Sequence, residues 1–408
     1  MFRLYFKSCY NIFSKIKKTF LSIYNIIIRY FPFKIYNPYS KLKLSPSVIK
    51  NLMDYNIEIR KPYDYPYLNN YPSKVLKKKY SKYYDKLLDF IRHENTTLVG
   101  RKMRDEYWSN YDPFNKSHYI EKFKDVIGYH NIIKPFYEII STEITQNIMN
   151  YQIDDIIMKG RFNTPFHIFR GVPKLDKPKG IVLAIHGRSE YPDYLMGLTK
   201  NDTYSRKFGN YWLNNGYIVY APQVDYDKSL SIVSLNYSNL AVDIAKILDL
   251  ILYIKSNHDK SLPLISCGIS YGAHLSEILG IISDEINAVV SIGGMARGDL
   301  FDRLDNDVNK WYKKVGQNNK FQLFSTNFHF LYNSLGIYKL LATKNLVISI
   351  GTHDWGEEKF NMIFNTLEYY KRFNCENNIR LNLFYGYHEA DPIGEMKALE
   401  DIYSKQTV

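Results

Sequence analysis

The stretch that most constrains this chain is Pro263-Leu264-Ile265-Ser266-Cys267-Gly268-Ile269-Ser270-Tyr271-Gly272-Ala273-His274. A short apolar run enters Gly-x-Ser-x-Gly and continues into a helical pattern, which reads as a strand, a sharp turn and a helix with Ser270 at the apex. A serine that attacks carbonyls must stand clear of its sheet on a tight, strained turn. Strand and helix then pass so close that only glycine-sized neighbours fit, and Gly268 and Gly272 supply that room. The bare motif is a loose pattern, so its meaning rests on its surroundings.

Upstream, Gly180-Ile181-Val182-Leu183-Ala184-Ile185-His186-Gly187-Arg188 is a buried-strand run ending in a polar, glycine-containing loop. Acyl transfer needs two backbone N–H groups aimed at the developing oxyanion, one from the residue after the nucleophile and one from such an earlier loop. Tyr271 and Gly187 or Arg188 are the candidates, with His186 expected to buttress the loop through a hydrogen bond. Downstream, Asn287–Gly294 is the next apolar strand. Asn345–Asp354 is a strand whose C-terminal loop carries Asp354, and Arg380–His388 delivers His388 just beyond its end. Ser270, Asp354 and His388 thus follow in the order nucleophile, acid, base. Each sits past the carboxyl end of its own strand, where an open parallel sheet gathers its functional groups in one crevice.

On these residues the chain from about Asp154 onward resembles the α/β-hydrolases. Asn210-Tyr-Trp-Leu-Asn-Asn-Gly-Tyr-Ile-Val-Tyr-Ala-Pro222 is similar to the helix-Gly-Tyr-strand-Ala-Pro stretch of the branch that holds dienelactone hydrolases, acetyl xylan esterases and prolyl-oligopeptidases. The resemblance implies an α/β fold, a mostly parallel doubly wound sheet with helices on both faces. It also implies a serine hydrolase that cleaves a carboxylic ester through Ser270, His388 and Asp354 by way of an acyl-enzyme.

Other residues compete for these roles. Asp299 and Asp302 follow the strand ending at Gly294 and offer an alternative acid. Asp354 has the closer strand-end placement. His353 adjoins the acid and cannot easily approach Ser270 from the opposite side as a base must. His274 reads as a packed helix residue and Cys267 as a small apolar filler, because a reactive thiolate needs an exposed electropositive site.

At 408 residues the chain exceeds what one core usually holds, so the expected organisation is a segment 1–40, a helical region 41–150 and the α/β domain 151–408, with a cap-like insertion at 299–344. Cys9, Cys267 and Cys375 are three, widely spaced, and argue against a disulfide framework and for a reducing compartment such as the cytoplasm. No Cys/His cluster with zinc spacing and no Gly-rich phosphate loop is present, so neither a metal nor a cofactor is expected. The formal charge of +13 comes with abundant Lys, Asn, Ile and Tyr and without any recognised nucleic-acid reading module. It is therefore read as a solvated surface rather than as a nucleic-acid partner.

In the first forty residues, Phe6, Tyr10, Phe13, Phe20, Tyr24 and Ile27 recur at helical spacing among lysines. Thr19–Ile28, the longest uncharged piece, is too short for the ~20 apolar residues that span a bilayer. The segment reads as a helix lying in a membrane interface or one packed on the domain that follows, with a cleaved signal, which its basic start and apolar core imitate without the small-residue cleavage site, or a true span behind these two. From Ser45 to Asn150 the pattern is mostly helical. Ser45-Pro46 is a start signal, and Lys74–Arg92 and Ile120–Ile148 carry apolar residues at three- and four-residue intervals. Gln152–Met158 and Thr164–Gly171 read as an antiparallel hairpin. The insertion holds Trp311, Tyr312, Phe321, Phe324, Phe328, Phe330 and Tyr332, a lining that favours an apolar or extended ester, small-molecule or lipid-like. A peptidase of the prolyl-oligopeptidase type and a non-catalytic, membrane-attached binding protein that keeps the fold are the alternatives. Nothing in the residues fixes the oligomeric state.

Overall fold

The computed structural model describes residues 50, 51, 53–55, 57, 116–126, 135–161, 165–187, 190–200, 203–224, 239–294, 334–354 and 358–406. Every one of them belongs to the unit Leu44–Val408. Segment 1–40, the expected helix Lys74–Arg92, the start at Ser45-Pro46 and the aromatic cluster 311–332 lie outside the described residues.

The order of elements is α1 (Lys116–Val126), β1 (Tyr137–Asn147), β2 (Tyr151–Gly160), β3 (Pro165–Pro173), β4 (Ile181–Ile185), α2 (Pro192–Leu195), α3 (Phe208–Asn214), β5 (Ile218–Pro222), α4 (Asn239–Asn257), β6 (Leu264–Ile269), α5 (Tyr271–Ile282), β7 (Ala288–Ile292), α6 (Ser334–Leu341), β8 (Asn345–Gly351), α7 (Glu358–Arg372), β9 (Ile379–Phe384) and α8 (Pro392–Gln406). The strands form one nine-stranded sheet in the order β1-β2-β3-β5-β4-β6-β7-β8-β9. β1, β2, β3 and β5 pair antiparallel, whereas β5, β4, β6, β7, β8 and β9 pair parallel. The mostly parallel, doubly wound α/β architecture expected from the sequence is the one found.

β4, β5, β6 and β7 are buried along their whole length, which is why they read as mostly apolar runs, interrupted only by Ser266 and Ser291, rather than as alternating ones. Alternate side chains serve opposite layers. Val182, Ala184, Ile265, Cys267 and Ile269 pack with Phe208, Trp212 and Leu213 of α3 and with Met396, Leu399 and Ile402 of α8. On the other face, a Cβ on Gly268 would collide with the Gly272 backbone, so α5 runs directly over β6 there. Trp212 is fully buried and meets Tyr217 edge to face at 4.9 Å between ring centroids.

Leaving β4, the chain turns one way to β5 and the other way to β6, which places the topological switch point between β4 and β6. Parallel sheets of this kind open their binding crevice outside the carboxyl ends of the two strands at the switch.

The helical reading of Ile120–Ile148 is corrected in its second half. α1 ends at Val126, and Tyr137–Asn147 is the edge strand β1, paired antiparallel with β2. Two register shifts, between Ile139 and Ser141 and between Ile144 and Gln146, break the two-residue alternation. The inward positions become Tyr137, Ser141 and Gln146, whereas Ile140, Ile144 and Ile148, which recur every four residues as on a helix face, do not share a buried side, Ile140 and Ile144 being exposed. β-branched Ile139, Ile140, Thr142, Ile144 and Thr145 were the contrary signal. The hairpin expected at Gln152–Met158 and Thr164–Gly171 is present as β2 and β3, although Thr164 itself lies outside the described residues. Of the 299–344 insertion, Ser334–Leu341 forms α6, packed on α5.

Candidate active site

β6 ends at Ile269 and α5 begins at Tyr271, leaving Ser270 alone in the turn with φ 57° and ψ −115°. An L-residue is held there only when its surroundings over-determine it. The surroundings are specific. The Ser270 N–H donates to Ile292 O at the end of β7 at 2.9 Å, while Ser270 O accepts from Ala273 and His274 N–H at 3.1 and 3.3 Å. The hydroxyl makes no capping bond to the helix it precedes, so its job is not the usual one of a serine at a helix start. Gly272 explains the tightness, since a Cβ there would run into the carbonyl oxygens of Ile185 and His186 at the end of β4. Glycines at 268 and 272 therefore let the start of α5 lie directly over the ends of β6 and β4, without room for a methyl group.

The residue after Ile292 is Gly293, in the left-handed region at φ 56°. A Cβ on it would stand 2.9 Å from His388 Nδ1 and 3.0 Å from Asp354 Oδ2, so these two side chains rest on the Gly293 backbone. His388 Nδ1 and Asp354 Oδ2 are 2.9 Å apart. A carboxylate only accepts, so Nδ1 carries the proton and the other ring nitrogen is left as an acceptor. Asp354 is buried, with its N–H bonded to Gly351 O at 2.9 Å. The residues predicted from β6, β8 and β9 thus converge on the end of β7, with Ser270 bonded to Ile292 and the His388–Asp354 pair seated on its neighbour.

Gly187 follows β4 and lies against the Ser270 turn. A Cβ on it would be 3.1 Å from Ser270 Cβ, and it would collide with the Tyr204 hydroxyl. Arg188, the other loop candidate, lies outside the described residues. Tyr271 is the first residue of α5, where backbone N–H groups have no intrahelical acceptor and the helix dipole presents its positive end. Its hydroxyl donates to Asp243 Oδ2 of α4 at 2.8 Å. His186 accepts at Nε2 from Val224 N–H at 3.1 Å, which leaves Nδ1–H to donate to Gly187 O at 2.8 Å. The imidazole thereby holds the loop in shape, as its sequence context suggested.

The rival side chains stand elsewhere. His353 packs between Tyr385 and Tyr387 with ring centroids at 4.5 and 5.1 Å. His274 faces Glu277, 3.4 Å away. Cys267 is completely buried, and burial pushes its thiol well above the ordinary range, which makes it inert as a nucleophile. Asp299 and Asp302 lie outside the described residues.

Three side chains that the sequence reading passed over belong to this neighbourhood. The Tyr204 ring lies 5.5 Å from that of His388, tilted by 30°. Lys359, near the start of α7, places Nζ 3.3 Å from Asp354 Oδ2. Glu190, in the loop after β4, is buried, and burial pushes its carboxyl up to about 7 against the opposing pull of hydrogen bonds from Thr203 and Ser205. None of the three carries a local motif. Lys359 follows Asp354 by five positions into the next helix, whereas Tyr204 and Glu190 become neighbours of the triad candidates only because loops from distant parts of the sheet converge.

No family model matches the chain, and no curated protein matches it. Solved structures do. A CE15 glucuronoyl esterase from Teredinibacter turnerae is 11% identical, with 88% of this chain and 99% of that one covered at a TM-score of 0.51. A glucuronoyl esterase from Solibacter usitatus is 13% identical over 74% of this chain and 93% of that one, also at 0.51. A methylesterase is 10% identical over 91% and 87%, at 0.52. The likeness is one of fold.

Proposed function

Taking as premise that this chain has the α/β-hydrolase fold, we propose that it is a serine hydrolase cleaving a carboxylic ester through Ser270, His388 and Asp354. The observation that carries the reading is the strained Ser270 apex, tied to Ile292, beside a His388–Asp354 pair that rests on Gly293. Strain at a residue without a capping role is what a presented nucleophile requires. That the structures of like fold include glucuronoyl esterases and a methylesterase supports an ester as the substrate class.

In this reaction His388 takes the Ser270 hydroxyl proton as Oγ adds to the ester carbonyl. Asp354, on Nδ1–H, holds the ring in the needed tautomer and stabilises the imidazolium that forms. The oxygen that gains charge is received by the backbone N–H of Tyr271 together with that of Gly187 or Arg188. Collapse of the tetrahedral species expels the alcohol, which takes the proton from His388, and leaves an acyl group on Ser270. Water, deprotonated by the same imidazole, then releases the acid and restores the serine.

The test is hydrolysis of p-nitrophenyl esters from acetate to long acyl chains by the wild type and by Ser270→Ala, with fluorophosphonate labelling in parallel. Turnover and labelling lost together in the variant support the mechanism, and the chain-length optimum reports the acyl pocket. Folded wild-type protein that neither turns over nor labels removes the reading and leaves the non-catalytic alternative.

A further inference from the structure

We infer that Lys359 is a positioning residue of this site: its ammonium fixes the Asp354 carboxylate in the orientation that supports His388 and serves as that carboxylate's standing counter-charge. The inference rests on the serine-esterase reading above. A single oxygen, Asp354 Oδ2, receives both His388 Nδ1 at 2.9 Å and Lys359 Nζ at 3.3 Å. The Lys359 and Asp354 side chains are each only 2% exposed. A charge so far removed from water is strongly disfavoured unless an opposite charge and good hydrogen bonds accompany it.

The form of His388 that can accept the Ser270 proton is the neutral imidazole, which brings no cation to the pair. Lys359 therefore has to compensate Asp354 before substrate arrives. When His388 takes the Ser270 proton, a second cation forms on the same oxygen, and the carboxylate is already aimed at it. Apart from the half-turn that exchanges its two equivalent oxygens, rotating the Asp354 carboxylate would disturb both bonds, so the lysine narrows the settings open to a carboxylate held by the histidine alone. No bond to Lys359 is made or broken during turnover, and no proton moves through it. Its contribution is geometric and electrostatic, which calls for a readout that general damage to the fold would not produce.

Hydrolysis of p-nitrophenyl acetate and the rate of fluorophosphonate inactivation would be measured for the wild type, K359M, K359R, D354N and the double variant D354N/K359M, each checked for folding by circular dichroism. K359M is expected to lose about ten- to a hundredfold in kcat, the range that small misplacements of catalytic groups produce, with KM within about twofold. K359R, which keeps a cation, should regain most of the loss. In the D354N background the charge to be held is gone, so adding K359M should cost less than about twofold. The inference is overturned if K359M keeps wild-type kcat, or if it costs as much beside D354N as it does alone. If K359M does not fold, the neutral pair of D354N/K359M measured against D354N, together with K359R, decides between the same two outcomes. A wild type that neither hydrolyses nor labels defeats the esterase reading and this inference together. An active wild type with an indifferent K359M defeats only the inference.

Discussion

If Ser270 is held in strain for the sake of its hydroxyl, then removing the side chain altogether should stabilise the protein while abolishing its activity. Backbone angles of 57° and −115° lie where Cβ is crowded, at a cost of about 1 to 3 kcal/mol for an L-residue. Ser270→Ala keeps the Cβ and so keeps the strain. Ser270→Gly relieves it but gives back about 0.5 to 1 kcal/mol through the greater freedom of glycine in the unfolded chain. Because the hydroxyl makes no capping bond, neither variant loses a helix cap. The glycine variant should therefore be more stable than the alanine variant by about 0.5 to 2 kcal/mol, a rise in Tm of about 1 to 6 °C for a domain of this size. Both should be equally inactive toward p-nitrophenyl acetate. Paired thermal melts and urea titrations at one pH measure the difference. A glycine variant equal to or less stable than the alanine variant would show that the turn is unstrained and that the geometric case for a presented nucleophile is wrong.

Three further outcomes follow from the same structure. Gly272→Ala puts a methyl group into the carbonyl oxygens of Ile185 and His186, which are backbone atoms with nowhere to go. A loss of 3 kcal/mol or more on the order of a severe overpacking defect, or insoluble protein, is expected on expression, and near-wild-type stability would refute the packing argument. Glu190, held near 7 by burial against an unfolded value near 4.5, binds its proton more tightly in the folded state. Its neutral form costs the fold nothing below about pH 4.5; ionisation then erodes stability as pH rises, by roughly 3 kcal/mol once pH passes 7. Glu190→Gln should thus gain on the wild type between pH 5 and pH 8 in urea titrations, and a constant difference across that window would sink the assignment. Asp249 of α4 accepts Arg161 Nη2 at 2.6 Å, Arg161 Nε and N–H at 2.9 Å each, and Phe136 N–H at 3.1 Å. Asp249→Ala would strand a buried guanidinium and should cost about 3 to 5 kcal/mol. A change of less than about 1 kcal/mol in the denaturation free energy would contradict that.

The parts of the fold that could be read from the residues are those where burial on both faces or local chain geometry imposes a pattern. β4, β6, β7 and β8 are mostly apolar, with Ser266, Ser291 and Ser349 the interior exceptions, because helices cover both sides, and the tight turn at Ser270 is legible because only glycine fits at 268 and 272. Asp354 and His388 were found by their places at strand ends. β1 was misread because its bulges exchange a two-residue alternation for a longer one, and edge strands lack the second buried face that would have restored the signal. Gly293 illustrates the other limit. It reads as the tail of a strand, yet its positive φ and missing side chain are what let the His388–Asp354 pair settle there. Tyr204 and Glu190 precede His388 by 184 and 198 positions, and Lys359 follows Asp354 by five; no periodicity links any of them to its neighbour in the site.

The sheet itself does not bring these groups together. β9, which carries His388, stands three strands from β6, a separation of about 14 Å at ~4.8 Å per strand, and four from β4. The loop after β9 must therefore fold back across the crevice, and strand register cannot hold it there. Residues 203–206 supply the tie. Tyr204 O accepts the Ala390 N–H at 2.8 Å, Arg206 pairs with Glu389, and the Tyr204 ring lies beside His388. The same short segment turns the other way to Glu190, whose Oε1 accepts the Ser205 N–H at 3.3 Å. The segment is a turn, closed by the Arg206 N–H on Thr203 O at 3.0 Å, and its residues reach both the histidine loop and the loop after β4. Arg206 and Lys207 both adopt positive φ, at 48° and 52°, so the segment ends in a turn that non-glycine residues rarely make. A crevice at a switch point needs such a strut, because the two halves of the sheet diverge there and the loops that meet across it have no strand in common.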